Sequence, residues 1–207
     1  MRRRVRAVVD NLMPYWQVLH SSPELALHAT LYTWAAGQFA PGRILDLGCE
    51  FGFGDLLMEI ANPHLQLTAL DAELDNLRKA CELAPAQAAR VVCAQASALP
   101  FASGSFSGVC LINLLHLVDD PLRTLHEVQR VLSPGGLAVM SLPRTTSEPP
   151  DEANPPLEQS LGYMANQIFA QVTIPGIIRG QPPTLAPQSF ALGPDASLWV
   201  AIAKKAE

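Results

Sequence analysis

The chain has 207 residues, 49% hydrophobic and 16% charged, which provides for one buried core and excludes global disorder. Fourteen Lys and Arg against 19 Asp and Glu leave a formal net charge of −5, which argues against a protein held to nucleic acid by its overall field. Apolar runs such as Val109–Ile112 are far too short to cross a bilayer, so no membrane span is expected.

At the N-terminus, Arg2-Arg3-Arg4 with Arg6 reads as a solubilising tail, and Arg6 and Asp10 interrupt the apolar stretch that a secretory leader would need. Residues 23–39 follow as a helix, capped by Ser22 with Pro23 in its first turn. Leu25, Ala29, Tyr32, Ala36 and Phe39 recur on it at helical spacing. Pro41-Gly42 ends it. Ile44–Leu47 is a short buried strand, Asp55–Ala61 a helix, and Leu65–Leu70 a second strand that stops at Asp71. Leu74–Leu83 is a helix, Val91–Cys93 a third strand, and Gly108–Asn113 a fourth. Asp120-Pro121 opens a helix with an acidic cap and a proline at its first position, and Leu122, Leu125, Val128 and Leu132 form its apolar stripe. Ser133-Pro134-Gly135-Gly136 stops that helix, and Leu137–Leu142 is a fifth strand.

Ten of the 18 prolines lie in residues 141–207, so the regular core ends near residue 142. Leu157–Val172 reads as a helix broken at Thr173-Ile174-Pro175-Gly176. Gln188–Leu192 and Leu198–Ala203, joined by Gly193-Pro194-Asp195, read as a terminal hairpin. Strands alternating with helices predict an α/β fold: a doubly wound, mostly parallel, seven-stranded Rossmann-like sheet with an antiparallel C-terminal edge hairpin. The whole chain is then one domain. Residues 1–40 are a helical cover, 41–142 a ligand-binding core, 143–187 a proline-rich cover or contact segment, and 188–207 the hairpin. Prolines at 144–187 argue against core structure there, yet Leu161, Tyr163, Met164, Ile168 and Phe169 are too apolar for a solvated linker. Such a segment is expected to fold over the pocket or to pair with a second copy as a homodimer. Cys49, Cys81, Cys93 and Cys110 contain no C-x-x-C, so no metal site is expected, and a reducing, cytoplasmic setting is inferred.

The chemistry concentrates after the first strand. Gly48-Cys49-Glu50-Phe51-Gly52-Phe53-Gly54 is a glycine-rich turn leading into a helix, where backbone N–H groups can approach a ligand. Asp46 precedes it by two residues. Asp71 stands at the tip of the next strand, where the ribose hydroxyls of a bound nucleoside lie in doubly wound sheets; its other reading is a helix cap. With Glu50 and Phe53 at the second and third glycine positions, the turn fails the G-x-G-x-x-G pattern of nicotinamide enzymes.

Ile44–Gly54 resembles the first motif of class I S-adenosylmethionine-dependent methyltransferases, an acid followed by Gly-x-Gly-x-Gly. The resemblance continues through Ala98–Phe101, Gly104-Ser105-Phe106, Leu115-His116-Leu117, Asp120-Pro121-Leu122 and Glu127–Gly136, the pattern of the small-molecule branch, and spans about residues 41–142. It implies S-adenosylmethionine as cofactor, with Asp46, Gly48, Cys49, Glu50 and Gly52 in the loop around its methionine part. It implies Asp71 and Ala72 at the ribose, Gln95, Ala98 and Leu99 beside the adenine, and Asn113 facing the sulfonium region. His116 is the first candidate general base, followed by His20 and His28; its other reading is a packed turn residue. The chain departs from the pattern at Glu50, which replaces the middle glycine, at Gln95, which replaces a frequent acid, and at Ser107, which replaces a frequent aspartate. The implied function is methyl transfer to a small-molecule acceptor. The alternative is a non-catalytic partner or scaffold protein of the same fold. Asn154-Pro155-Pro156-Leu157 resembles the motif of amino-methyltransferases but follows the fifth strand and lacks the aromatic residue, so it reads as a loop.

Overall fold

The computed structural model describes residues 23–83, 90–143, 157–173, 176–178 and 196–207. Its elements run α1 (Pro23–Gln38), β1 (Gly42–Leu47), α2 (Phe53–Ala61), β2 (Leu65–Asp71), α3 (Leu74–Leu83), β3 (Val91–Cys93), β4 (Phe106–Ile112), α4 (Pro121–Val131), β5 (Leu132–Pro143), α5 (Leu157–Ile168), β6 (Gln171–Thr173), β7 (Gly176–Ile178) and β8 (Ala196–Lys204). The sheet order is β3-β2-β1-β4-β5-β8-β6. The first five positions are parallel, and β8 runs antiparallel to β5. Both β6 and β7 pair antiparallel with β8, β6 along Ile202–Lys204 and β7 along Ala196–Trp199. They occupy one lateral position as two pieces of one edge, so the sheet has seven positions, mostly parallel, with an antiparallel edge.

The edge differs from the sequence expectation. Its partner to the last strand comes from residues 171–178, while the strand expected at Gln188–Leu192 and its turn lie outside the described residues. The helix expected to reach Val172 ends at Ile168, and Val172 lies in β6. Three-residue strands flanking Pro175 carry too little alternation to be seen as strands. The segment is also less of a cover than expected. Ala165 and Phe169 are buried in the main core, and Gln129 Nε2 on α4 donates to Ile168 O at 3.4 Å, so α5 packs onto α4. Residues 144–156 and 179–187 lie outside the described residues.

Alternation along the strands sorts the core into two layers. Leu45, Leu47, Val109, Leu111, Ala138 and Met140 face α4 and α5. Ile44, Leu67, Cys110, Ile112 and Val139 face the other way and pack with Leu31, Tyr32, Ala35 and Phe39 of the α1 region and with Met58 of α2. By this parity Asp46 belongs to the α1–α2 layer. Asn62, at the end of α2, donates to the carbonyls of Ala36 and Phe39 at 3.1 and 3.3 Å, which ties the two helices together. On α4, Asp120 accepts from the Arg123 N–H at 2.9 Å and Pro121 takes the first turn, as its sequence predicts. Leu122 is exposed, however, and Thr124 and Val131 complete the buried stripe in its place. No helix among the described residues is long and apolar enough to cross a membrane.

Candidate functional site

The parallel strands end at a common edge, and the glycine turn lies there between β1 and α2. Gly48 (φ 81°), Glu50 (φ 49°) and Gly52 (φ 75°) all sit in the left-handed region. At Glu50 this conformation strains a residue with a Cβ by about 1–2 kcal/mol. The turn is pinned to β2: the N–H groups of Gly48 and Cys49 both donate to Leu70 O, at 2.8 and 3.1 Å. Leu114, in the turn after β4, closes on it from the other side, since a Cβ at Gly48 would stand 2.8 Å from Leu114 Cδ1. The Cys49 side chain turns inward against Ala69 and Leu77, and burial pushes its thiol well above its usual range. It contributes backbone to the turn and no reactive sulfur.

Asp71 joins the two halves of the site. Its Oδ2 accepts from the Glu50 N–H at 2.9 Å, and its Oδ1 accepts from the Glu73 N–H at 2.8 Å and from Asn76 Nδ2 at 3.3 Å. The same carboxylate thus starts α3 and holds the glycine turn, so its two sequence readings are compatible. Ala72 follows, exposed, with its carbonyl 3.5 Å from Cys93 Sγ.

Below the turn lie two carboxylates in a different state. Asp46 and Asp55 are 0% and 1% exposed, and neither has a hydrogen-bond partner among the described residues. Burial raises the proton affinity of Asp46 far above the usual carboxylate range, and the charges of Asp55, Asp71 and Glu50 add to it. Asp55 is pushed up to about 7, again by burial, against the pull of Arg90. The sequence reading named Asp46 but passed over Asp55, because an acid in a first helical turn is ordinary on any exposed helix. Its signal was its place three residues after Gly52.

At the tip of β4, Asn113 (φ 53°) carries a network of its own. Its N–H donates to Ser141 O and Oγ at 3.1 and 3.0 Å, and its Oδ1 accepts from Ser141 Oγ at 2.8 Å. That orients its amide nitrogen towards Nε2 of His28, which α1 carries over the strand ends. His116, the first candidate base, stands largely exposed beyond Leu115, and what burial it has lowers its proton affinity. His28 and Asn113 meet. His20 lies outside the described residues.

The β3–β4 side divides in two. Gln95 and Ala98 are exposed, with the Ala98 N–H donating to Gln95 O at 3.0 Å in a tight turn. Leu99 instead buries its side chain, while its N–H donates to Glu127 at 2.7 Å and its carbonyl accepts from Arg130 at 3.0 Å. Leu99 therefore anchors the turn, and Gln95 and Ala98 present its open surface. Ser107 sits at the opposite end of the sheet, donating to Arg43 O at 3.1 Å, a structural role.

Residues 45–140 match the methyltransferase domain family. The fold agrees: a possible histamine N-methyltransferase from Thermotoga maritima superposes with a TM-score of 0.64 at 16% identity, over 96% of this chain and 98% of that one. The sequence match spans under half of the chain, and the structural likeness to class I S-adenosylmethionine-dependent methyltransferase cores is one of fold. Among curated relatives, the ubiquinone/menaquinone biosynthesis C-methyltransferase of Desulfotalea psychrophila is 38% identical over 104 residues, which are 50% of this chain and 42% of that protein. The first three such relatives are matched over only 38–42% of their length. The same fold also occurs in the [4+2]-cyclase SpnF, with a TM-score of 0.66 at 17% identity over 88% of this chain and 82% of that one.

The residues present fit such a methyl donor. Asp46 and Asp55 are orphaned acceptors beneath a turn whose glycines leave no room for a Cβ at Gly48, so a ligand bearing positive charge suits the site. Among the described residues, Oδ2 of Asp71 accepts one hydrogen bond and has a lone pair left for a hydroxyl.

Proposed function

We propose that this protein binds S-adenosylmethionine at the C-terminal edge of β1, β2 and β4 and transfers its methyl group to a small-molecule acceptor. The observation that carries this reading is the unpartnered, buried Asp46 beneath the glycine turn, with Asp71 fastened to the same turn. When bound, the cofactor supplies an activated methyl on a good leaving group, so the protein's contribution is alignment and electrostatic fit. Asp71 holds the ribose, the turn from Gly48 to Gly52 takes the methionine part, and Gln95 and Ala98 border the adenine. Asn113 and His28 stand where the acceptor would approach. With its Oδ1 taken by Ser141, Asn113 donates its amide to His28, which keeps that ring nitrogen as an acceptor and the other as the N–H. His28 is held by Asn113, and the more exposed His116 is the candidate to take a proton. The acceptor is read as a small molecule in the cytoplasm, and residues 144–187 as the contact of a homodimer, which light scattering on the purified protein tests.

Thermal-shift titration with S-adenosylmethionine and S-adenosylhomocysteine tests the cofactor reading. Both should raise the melting temperature in a concentration-dependent way, since a ligand that binds only the native state stabilises it by mass action. No shift with either would remove the reading. A second reading, a non-catalytic protein of the same fold, draws on Glu50, a charged and strained residue where the methyltransferase pattern has glycine. It predicts weak or absent stabilisation by both ligands, restored in Glu50→Gly.

A further inference from the structure

We propose that the buried carboxylates of Asp46 and Asp55 beneath the glycine turn act as a pair that couples the binding of amine-bearing, cationic nucleosides to release of a proton. Asp55 is thereby a specificity-determining residue outside the methyltransferase motif. The inference rests on the cofactor reading above and deepens it.

The geometry comes first. By strand parity Asp46 belongs to the α1–α2 layer, and Asp55 is buried in the first turn of α2. Asp55 Oδ2 lies 3.8 Å from the position a Cβ would take on Gly52, directly under the turn. The Tyr32 ring packs so tightly on Gly54 that a Cβ there would overlap it, which seals the pair from the α1 side. All four carboxylate oxygens are buried without a partner among the described residues. Two ionised carboxylates so placed would each bear the full cost of desolvation and their mutual repulsion, so one proton must stay on the pair.

The surroundings reinforce this. Around the pair stand Tyr32 on α1, Cys49 and Glu50 in the turn, Glu59 on α2, Asp71 at the tip of β2, Arg90 before β3 and Cys110 on β4. Burial and the nearby acids keep Tyr32, Cys49 and Cys110 protonated. Among the described residues Arg90 is the cation that acts on Asp55, and it is shared with Glu59 at 2.8 Å. With one proton retained by the two carboxylates, the second ionisation is the one that a nearby cation can drive. Asp55 then titrates near neutrality through burial. A positive charge placed on the turn acts across a few ångströms of poorly polarisable protein and favours the ionised form. Binding therefore expels a proton to solvent, and affinity for the cation rises with pH.

The test is calorimetric titration of the protein and of Asp55→Asn with S-adenosylhomocysteine, which carries an ammonium, and with 5′-methylthioadenosine, which does not. Repeating it in two buffers of different ionisation enthalpy counts the protons. For the unaltered protein, S-adenosylhomocysteine affinity should rise about tenfold between about pH 5.5 and about pH 7.5, with release approaching about one proton. Methylthioadenosine should bind with a flat profile, and Asp55→Asn should flatten the homocysteine profile. An unchanged slope in Asp55→Asn, or an equal slope for methylthioadenosine, overturns the proposal. If neither nucleoside binds, the cofactor reading falls, and the pair is judged in the free protein by carboxyl-carbon NMR. One aspartate should then titrate near neutrality and vanish in Asp55→Asn and in Asp55→Ser. All aspartates titrating in the ordinary range of about 3–5 would overturn the pair itself.

Discussion

Two carboxylate settings, on opposite sides of the sheet, show how the same chemical group is used for different ends. On the α4 side, Glu127 is satisfied: it accepts from Arg130 Nε at 2.7 Å, from a second guanidinium nitrogen at 2.8 Å, and from the Leu99 N–H at 2.7 Å. Arg130 reaches on to the carbonyls of Leu99 and Phe101 at 3.0 and 2.7 Å. The hydrogen bonds from Arg130 hold Glu127 below the usual carboxylate range. On the α1–α2 side, Asp46 and Asp55 are more deeply buried, have no partner among the described residues, and sit above that range. The first setting is closed and strengthens the fold. The second leaves buried acids without partners, which weakens the fold and suits a site that takes a cation.

The contrast breaks most visibly at Asp55. Its proton affinity is raised to about 7, so the stability it contributes is complete below its unfolded range near 4 and is lost as pH rises through 7. Asp55→Asn should therefore be more stable than the unaltered protein above about pH 8, by up to about 4 kcal/mol, and should show little advantage near about pH 4. Urea unfolding at both pH values measures this. Arg130→Ala should act in the opposite sense. It strands the Leu99 and Phe101 carbonyls and leaves Glu127 without its cation, at a loss of about 2–3 kcal/mol by the same assay.

The strands, helices and turns between residues 42 and 142 were legible because each carries its own signal: the continuous apolar run of β4, the Asp120-Pro121 cap of α4, the Gly48–Gly52 turn after β1. Asp71 was legible for the same reason, as an acid at a strand tip. What stayed hidden depends on tertiary contact. Asp55 looks like a surface acid until Tyr32 and Gly54 close over its layer. Glu127 and Arg130 look like an exposed i,i+3 pair until the turn at Leu99 lands on them. Leu122 fits the apolar stripe of α4, yet that side of the helix meets solvent. The pieces β6 and β7 become strands only because β8 offers an edge.

Smaller changes sharpen the contrast within the site. Asp71 is buried like Asp55 but partnered like Glu127, so Asp71→Ala should weaken both functions. Affinity for S-adenosylmethionine should fall by about 1–3 kcal/mol as the ribose hydroxyls lose their acceptor, and the turn should loosen as the Glu50 and Glu73 N–H groups lose theirs. Glu50→Gly should have the smallest effect. It relieves left-handed strain of about 1–2 kcal/mol and gives back up to about 1 kcal/mol in chain entropy. The melting temperature should rise slightly, and cofactor affinity should hold or improve.

Calorimetric titration with S-adenosylmethionine at one salt concentration, on the unaltered protein and on Asp71→Ala, tests the central claim most directly. The account predicts a dissociation constant on the order of micromolar for the unaltered protein. It predicts binding at least about tenfold weaker for Asp71→Ala, the equivalent of about 1.4 kcal/mol. No heat of binding from the folded, unaltered protein at millimolar ligand, or equal affinity in the two proteins, would contradict it.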